Sequence, residues 1–313
     1  MSTRAVGMNT STSKKAGSMK SHRWFTPWLL LAPPVIWVLV FSLWPFINTV
    51  VLSFTDARPL QPVSPVGLAN YERLLTDEQF RYALITCMIY VVVCVPLLTI
   101  VPLLLALLVE KKIPGIALFR TTFYFPVIAS VVVVALIWSW LFDSRGIINQ
   151  ALEWMGVVDQ PIAFLVDRWW LLATAILLTV WKGIGYYMVV YLAALGNVGK
   201  ELHEAAMLDG AGAVRRFISV TIPSVRGAML LVSVLVAVSA MRVFTELDIL
   251  SNGTGGPGGY DISIVMLIRQ VGSGLNGNLG YAGAISVALF LLTLIPLIVI
   301  ALLNREKKAK VSA

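Results

Sequence analysis

Two charged side chains, Lys182 and Arg242, lie inside long apolar stretches of this 313-residue sequence. A charge at the centre of a bilayer costs about 2.5–3.5 kcal/mol on insertion scales, so such residues are candidates for function. Lys182 lies in the segment WKGIGYYMVVY, where Trp181, Tyr186 and Tyr187 offer aromatic faces that could stack on a sugar ring. The structural alternative is that the Lys182 side chain extends to the polar edge of the bilayer or pairs with a backbone carbonyl.

Arg242 is followed four residues later by Glu246. If this segment is one helix, the i, i+4 spacing places both side chains on the same face. We therefore predict an ion pair between them at the outer end of the helix, with Asp248 close enough to join it. Direct contact with a bound ligand is the second interpretation. The predicted substrate path accordingly comprises Trp181, Lys182, Tyr186, Tyr187, Arg242 and Glu246.

The sequence offers little for catalysis or metal binding. Its two histidines, His22 and His203, are far apart, which gives no metal-ligand cluster. Its two cysteines, Cys87 and Cys94, lie on one predicted helix face but too far along the axis to bridge, so we predict buried free thiols. No catalytic residue, metal ligand or cofactor is predicted in this chain.

The elements that must position these residues are apolar helices. Hydrophobic residues make up 58% of the chain and charged residues 13%, too few polar side chains to cover a water-soluble globule. A helix needs about 20 apolar residues to cross a bilayer core. We predict an all-α integral membrane protein with six transmembrane helices: Trp28–Phe54, Ala83–Val109, Leu118–Phe142, Trp169–Leu195, Gly227–Ile249 and Gly283–Leu303.

The positions of the basic residues predict the topology. With both termini in the cytoplasm, the inner side holds 16 Lys and Arg residues, counting Arg120 at the inner end of the third span, and the outer loops hold six, as the positive-inside rule requires. This asymmetry also explains the net charge of +8 without a nucleic-acid partner. We expect a mobile N-terminal tail over residues 1–23, with Met8 and Met19 as alternative starts, a membrane domain over residues 24–304 and a basic cytoplasmic tail over residues 305–313.

Two connecting segments are distinctive. The stretch SNGTGGPGGY, from Ser251 to Tyr260, is too rich in glycine for a helix and is predicted to be an irregular outer turn. The cytoplasmic segment 196–226 is predicted to form a helix over Lys200–Leu208, which ends at Gly210 because glycine takes the left-handed cap conformation without strain.

A second short helix in the cytoplasmic segment is predicted for Ala213–Val220, with Pro223 separating it from the fifth span. Small residues let another surface approach this helix–turn–helix closely, and its charges could direct pairing with a soluble partner. An ordinary amphipathic surface helix fits the same physical pattern equally well.

The segment also resembles the EAA signature of ABC importer permeases, E-A-A-x3-G-x9-I-x-L-P. Five signature positions are in register: Glu204, Ala205, Ala206, Gly210 and Pro223. Val220 and Ile222 are conservative replacements for Ile and Leu. Further segments resemble the carbohydrate-type permeases of the maltose and glycerol-3-phosphate importer group: GLANYERLL from Gly67, FRTTFYFPVIAS from Phe119, WSWLF from Trp138, YLAAL from Tyr191 and TGGP from Thr254.

The resemblance implies the type I ABC importer permease fold, in a bacterial or archaeal cell membrane. In that family the EAA loop is a coupling helix seated in a cleft of the ATP-hydrolysing subunit, whose closure drives alternating access. The residues expected at this contact are Glu204, Ala205, Ala206, Asp209, Gly210, Arg215, Arg216, Phe217 and Pro223. ATP and Mg²⁺ are expected on the partner ATPase, because the sequence contains no phosphate-binding loop.

The implied partners are the lipid bilayer, nucleotide-binding ATPase subunits, an extracytoplasmic substrate-binding protein and a second permease subunit, since six helices make half of the usual pathway. The implied cargo is a carbohydrate, a polyol or a glycerol-phosphate compound. Two other classes of protein have requirements that differ from these. An ion-coupled secondary transporter acting without an ATPase requires ion sites near the midplane, and a membrane enzyme requires a nucleophile with its base or a metal cluster. The sequence supports neither.

Overall fold

The computed structural model describes residues 25–110 and 114–311, and this part of the chain is mostly helical. The predicted N-terminal tail, with Met8 and Met19, lies outside the described residues. Within the described ranges, the only β-pairing is an isolated bridge between Thr55 and Pro65. The helices are α1 (Thr26–Val38), α2 (Trp44–Leu52), α3 (Ala69–Thr76), α4 (Glu78–Glu110), α5 (Ile116–Ile128), α6 (Val131–Leu141), α7 (Ile147–Trp154), α8 (Arg168–Leu195), α9 (Lys200–Leu208), α10 (Ala213–Arg216), α11 (Ile222–Met241), α12 (Thr245–Leu250), α13 (Ile264–Gly272) and α14 (Leu279–Val311).

The chain divides after Asn48 into two units, each described by itself. In the first, α1 contains two consecutive prolines and continues into α2 through a π turn at Leu39–Leu43. Proline and π turns both interrupt regular helix bonding, and membrane helices tolerate both. The apolar side chains here are exposed, for example Trp28 at 69%, a distribution typical of a helix that lies in lipid.

The second unit has its core where α4, α8 and α11 meet. Helix α4 packs along both α8 and α11, and α5 packs on α8. Apolar and aromatic side chains fill this core, with Tyr90 and Tyr191 fully buried. A hydrogen bond of 3.1 Å between the hydroxyls of Thr99 and Ser233 joins α4 to α11. Cys87 and Cys94 are buried and free, as predicted.

The all-α membrane fold is confirmed, but the third predicted span is not one straight helix. Within the described residues, five helices are long and apolar enough to cross a membrane: Pro27–Leu52, Glu78–Glu110, Arg168–Leu195, Ala213–Met241 and Leu279–Val299. In the third stretch, α5 and α6 are bent by 96°, and together they could form a sixth, broken span. The chain turns at Ala129, which is extended (φ −67°, ψ 138°), just after the helix-weakening Pro126.

The fifth predicted span differs at both ends. Pro223 does not separate two helices, because α10 continues through a π turn at Phe217–Thr221 into α11. The widened turn directly precedes the proline and accommodates its missing N–H. At the other end, α11 stops at Met241 instead of continuing to Ile249. Both predicted boundaries are therefore wrong, and one helical rod extends from the segment that we predict to be cytoplasmic into the core.

The last helix, α14, continues to Val311. The predicted basic tail, residues 305–313, therefore begins as an extension of the sixth span.

Candidate functional site

The segment between α8 and the first turn of α11, here named the α9–α10 loop (residues 196–226), forms a helix, a turn and a second helix. Helix α9 ends in a Schellman motif, in which the N–H of Ala211 donates to the carbonyl of Ala206 (2.9 Å) and that of Gly210 to Met207 (3.0 Å). Gly210 has φ +74°, so its predicted left-handed conformation is confirmed. The sequence folds this way locally because only glycine adopts that turn without strain.

The part of this loop from Glu204 to Arg215, here named the arm, exposes most of its signature side chains to solvent. Glu204, Ala205, Asp209 and Arg215 are exposed, and Ala206 is half-buried. Among the described residues, Glu204 forms no ion pair and its side chain has no hydrogen-bond partner. The charges that could pair with another protein are therefore free to do so.

The part of the α9–α10 loop from Arg216 to Pro223, here named the base, is joined to the core of the second unit. Phe217 packs against the hydrophobic core of the second unit, and the Nε atom of Arg216 is buried without a hydrogen-bond partner. Pro223 is exposed on the first turn of α11. Within the predicted contact set, the structure thus separates an exposed arm from a base that joins the arm to the core.

A cavity of about 220 Å³ lies in the second unit, between α4, α5, α8, α11 and α12. It brings together four residues of the predicted substrate path, Lys182, Tyr186, Tyr187 and Glu246, but not Trp181 or Arg242. The predicted substrate path did not include the other lining residues: Cys94, Leu98, Val127, Thr179, Gly183, Val236, Ser239 and Ala240. Thr179 could have been found, since it lies one helical turn before Lys182 on α8.

Lys182 supports the bent helix pair. Its Nζ donates to the carbonyl oxygens of Pro126 (2.8 Å) and Ala129 (2.6 Å). These carbonyls lie at the C-terminal end of α5, where the bend removes their helical partners and where a positive charge is favoured. The carbonyl-pairing interpretation is correct, and the same side chain also lines the cavity.

The predicted pair between Arg242 and Glu246 does not form. Because α11 ends at Met241 and Arg242 has φ −107° and ψ 15°, the two residues do not share a helix face. Arg242 is exposed, and among the described residues it pairs with no acid. Asp248 pairs with Arg269 instead, at 2.8 Å. The ion-pair prediction is wrong because the chain breaks between the two residues.

Trp181 is not among the residues that line the cavity. Its ring centroid lies 5.8 Å from that of Trp138 on α6, and the side chain is 38% exposed. The ring therefore packs beside the bent helix pair and does not reach the space that Tyr186 and Tyr187 line.

The Gly-rich loop (residues 251–263) is irregular, as predicted, apart from a short 3₁₀ turn at Pro257–Gly259. It contacts the neighbouring helix α4 through a hydrogen bond and an aromatic pair. The hydroxyl of Thr86 donates to the carbonyl of Tyr260 (3.1 Å), and the rings of Tyr82 and Tyr260 meet edge to face at 4.6 Å.

Asp261 in the same loop is fully buried, with Arg168 as its ionic partner at 3.4 Å. Both carboxylate oxygens lack a hydrogen bond. Burial raises the pKa of Asp261 to about 6, although the positive charge of Arg168 opposes the shift.

In the described part of the chain, no group of three or more His, Cys, Asp or Glu side chains is arranged to hold a metal ion.

Comparisons with known proteins agree on one family. Residues 154–309 match the model for the inner membrane component of binding-protein-dependent transport systems. The chain is 30% identical to the lactose transport system permease protein LacF of Rhizobium radiobacter, over 88% of this chain and 92% of that protein. It is also 30% identical to the arabinooligosaccharides transport system permease protein AraP of Halalkalibacterium halodurans, over 92% and 90%.

Solved structures give the same result. A chain of a bacterial ABC transporter that imports the acidic polysaccharide alginate superposes with a TM-score of 0.77 at 25% identity, covering 89% of this chain and 96% of that one. The alginate transporter in complex with its alginate pentasaccharide-bound periplasmic protein matches equally well, with a TM-score of 0.77.

Proposed function

This chain belongs to the family of inner membrane components of binding-protein-dependent transport systems, as the permease subunit of an ABC importer, and we propose that it carries a carbohydrate or a related polyol or glycerol-phosphate compound. The permease itself is not catalytic, and ATP hydrolysis belongs to a separate chain. Support for the cargo comes from the relatives, which are named for lactose and arabinooligosaccharides. The cavity adds Tyr186 and Tyr187, whose rings suit a sugar face.

One observation supports a mechanism by which motion of the α9–α10 loop is coupled to the cavity. The helical rod Ala213–Met241 begins in the α9–α10 loop and continues into the core, where Val236, Ser239 and Ala240 line the cavity. A rod of 29 residues spans about 43 Å at 1.5 Å per residue. Displacement of the loop would therefore be transmitted to the cavity wall, and the anchored Phe217 would make the base of the loop move with the core.

The partners follow from this arrangement. The exposed arm around Glu204 and Gly210 is the docking surface for the ATPase, which binds ATP and Mg²⁺. A second permease supplies the other half of the pathway: the cavity in this chain, about 220 Å³, is smaller than the roughly 300–1,000 Å³ of typical ligand sites. An extracytoplasmic binding protein delivers the cargo, by analogy with the periplasmic protein bound to the alginate transporter.

The topology we propose places both termini and the α9–α10 loop in the cytoplasm. The Gly-rich loop then lies on the outer side, because α8 runs from Arg168, beside that loop, to Leu195, beside the α9–α10 loop. The distribution of Lys and Arg supports this orientation.

The test is uptake by the complete importer in proteoliposomes, with labelled lactose, maltotriose and an arabinooligosaccharide as probes. Tyr186→Ala should reduce uptake of the accepted sugar severalfold without loss of assembly. Tyr124→Ala is the matched control, since Tyr124 is 37% exposed and is not among the cavity-lining residues. Equal uptake by both variants would place the substrate path elsewhere, and uptake that persists without ATP would favour a secondary transporter.

A further inference from the structure

The cavity contains one residue of each charge. Of its lining residues, only Lys182 and Glu246 carry charged groups, and the remainder are aromatic, aliphatic, glycine, hydroxyl or thiol side chains. The two charged groups are more than 4.0 Å apart, since no salt bridge joins them. The two formal charges cancel. The electrostatic environment of a ligand in the cavity therefore depends on which of the two groups already has hydrogen-bond partners.

Lys182 is engaged. Two of its three ammonium hydrogens go to the carbonyls of Pro126 and Ala129, at 2.8 and 2.6 Å. Both acceptors belong to the C-terminal end of α5, whose dipole contributes negative partial charge. An anionic ligand would have to compete with these carbonyls, which also hold the bend between α5 and α6.

Glu246 is available. It is half-buried at the second position of α12, and among the described residues its side chain forms no ion pair and no hydrogen bond with another residue. An ionised carboxylate only accepts hydrogen bonds, so it suits the hydroxyl groups of a sugar and repels another carboxylate or a phosphate. Burial raises the pKa of Glu246, and the opposite charge of Lys182 on the same cavity acts against that rise.

We infer that this cavity selects a neutral carbohydrate and rejects acidic sugars and phosphate esters, and that Glu246 is the residue that discriminates. The inference rests on the proposed carbohydrate function and narrows it, since it removes glycerol-phosphate compounds from the candidate cargoes. It also separates this chain from the alginate importer of the same fold, whose substrate is acidic.

The test measures binding to the assembled importer without its binding protein, so that the selectivity of that protein does not enter. Three neutral–acidic pairs serve as probes at pH 7.5: lactose with lactobionate, maltotriose with trigalacturonate, and glycerol with glycerol 3-phosphate. The neutral member of at least one pair should bind about tenfold more tightly, equivalent to about 1.4 kcal/mol. Glu246→Gln should bring that ratio close to one, because the amide keeps the shape and loses the charge.

The matched control is Asp248→Asn. Asp248 lies two residues further along α12, pairs with Arg269 and does not line the cavity, so its neutralisation should leave the ratio unchanged. A second variant guards against misfolding of Glu246→Gln. Ser239→Asp adds a carboxylate to the same cavity, and it should weaken binding of the acidic member more than that of its neutral partner.

The outcomes separate the two proposals. A wild-type importer that prefers the acidic member, or a ratio that neither Glu246→Gln nor Ser239→Asp changes, overturns the role of charge while leaving a carbohydrate importer in place. If no member of any pair binds and none is taken up by the complete importer, the carbohydrate proposal fails, and the selectivity inference fails with it.

Discussion

The α9–α10 loop and the Gly-rich loop both depend on glycines with positive φ, yet they are held in place differently. In the α9–α10 loop, Gly210 (φ +74°) has no atom within 4 Å of where a Cβ would lie. In the Gly-rich loop, Gly255 has the same φ, but a Cβ there would lie 2.9 Å from Cβ of Ile262. One turn is formed by local hydrogen bonds in open space, whereas the other is packed into the protein.

The difference indicates which loop is accessible to a partner. Asp261 and Ile262 of the Gly-rich loop are buried, so its conformation is determined within this chain. In the α9–α10 loop, Leu208 is 90% exposed, and Glu204 is exposed. An ordered, exposed turn with free charges and a large apolar side chain is suited to binding another protein.

The largest expected effect is on stability, from the same substitution in both loops. Gly255→Ala should cost about 2–5 kcal/mol, because backbone strain of about 1–2 kcal/mol adds to overpacking of about 1–3 kcal/mol. Gly210→Ala should cost only the strain. Thermal unfolding of the purified permease in detergent measures both, and equal losses would show that the surroundings of the two turns do not matter.

The next effect is on partner retention. Glu204→Lys reverses a charge on the exposed arm, so co-purification of the ATPase with the permease should fall about tenfold, equivalent to about 1.4 kcal/mol. Glu153→Lys, on an exposed position of α7, is the control and should retain the ATPase normally. Loss of the ATPase in both variants would indicate a general effect of the added charge.

A smaller effect concerns the accessibility of two exposed positions that the proposed topology places on opposite sides of the membrane. Leu75, at the end of α3, and Leu208 are 87% and 90% exposed, so cysteines at these positions are a matched pair. In intact cells an impermeant thiol reagent should label Leu75→Cys and spare Leu208→Cys. The native thiols add little background because both are buried. Labelling of Leu208→Cys from outside contradicts the proposed orientation.

The smallest effect is a pH dependence confined to the Gly-rich loop. The folded pKa of Asp261, about 6, is higher than the usual value of about 3.9, so the folded state binds this proton more tightly. The stability from this group is complete below about pH 4 and is lost as pH rises through about 6. Asp261→Asn should flatten the fall in thermal stability over this range, and an unchanged pH profile would count against the assignment.

The sequence predicted the helical membrane fold and the turn at Gly210, because apolar length and glycine are local signals. It did not predict the size of the bend between α5 and α6, because Pro126 signals a kink but not its angle, and the stretch is apolar on both sides of it. The carbonyl partners of Lys182 depend on that bend. The break after Met241 lies in MRVFTEL, which contains no glycine or proline. Burial of Val243 and Leu247 accompanies the break, so tertiary packing outweighs local helix preference there.

The central claim is that the α9–α10 loop couples ATP hydrolysis to transport. Gly210→Pro fixes φ near −65° where the turn has +74°, and it removes the N–H that donates to Met207. Gly212→Pro is the matched control, because Gly212 already has φ −67° and ψ 173°, and among the described backbone bonds its N–H has no acceptor.

The most direct measurement is the ATPase activity of the reconstituted importer with and without the substrate-loaded binding protein. Gly210→Pro should lose at least about tenfold of the stimulation, equivalent to about 1.4 kcal/mol, with the permease still inserted, while Gly212→Pro should retain it. Full stimulation and full transport by Gly210→Pro would contradict the account and make this loop an ordinary connector.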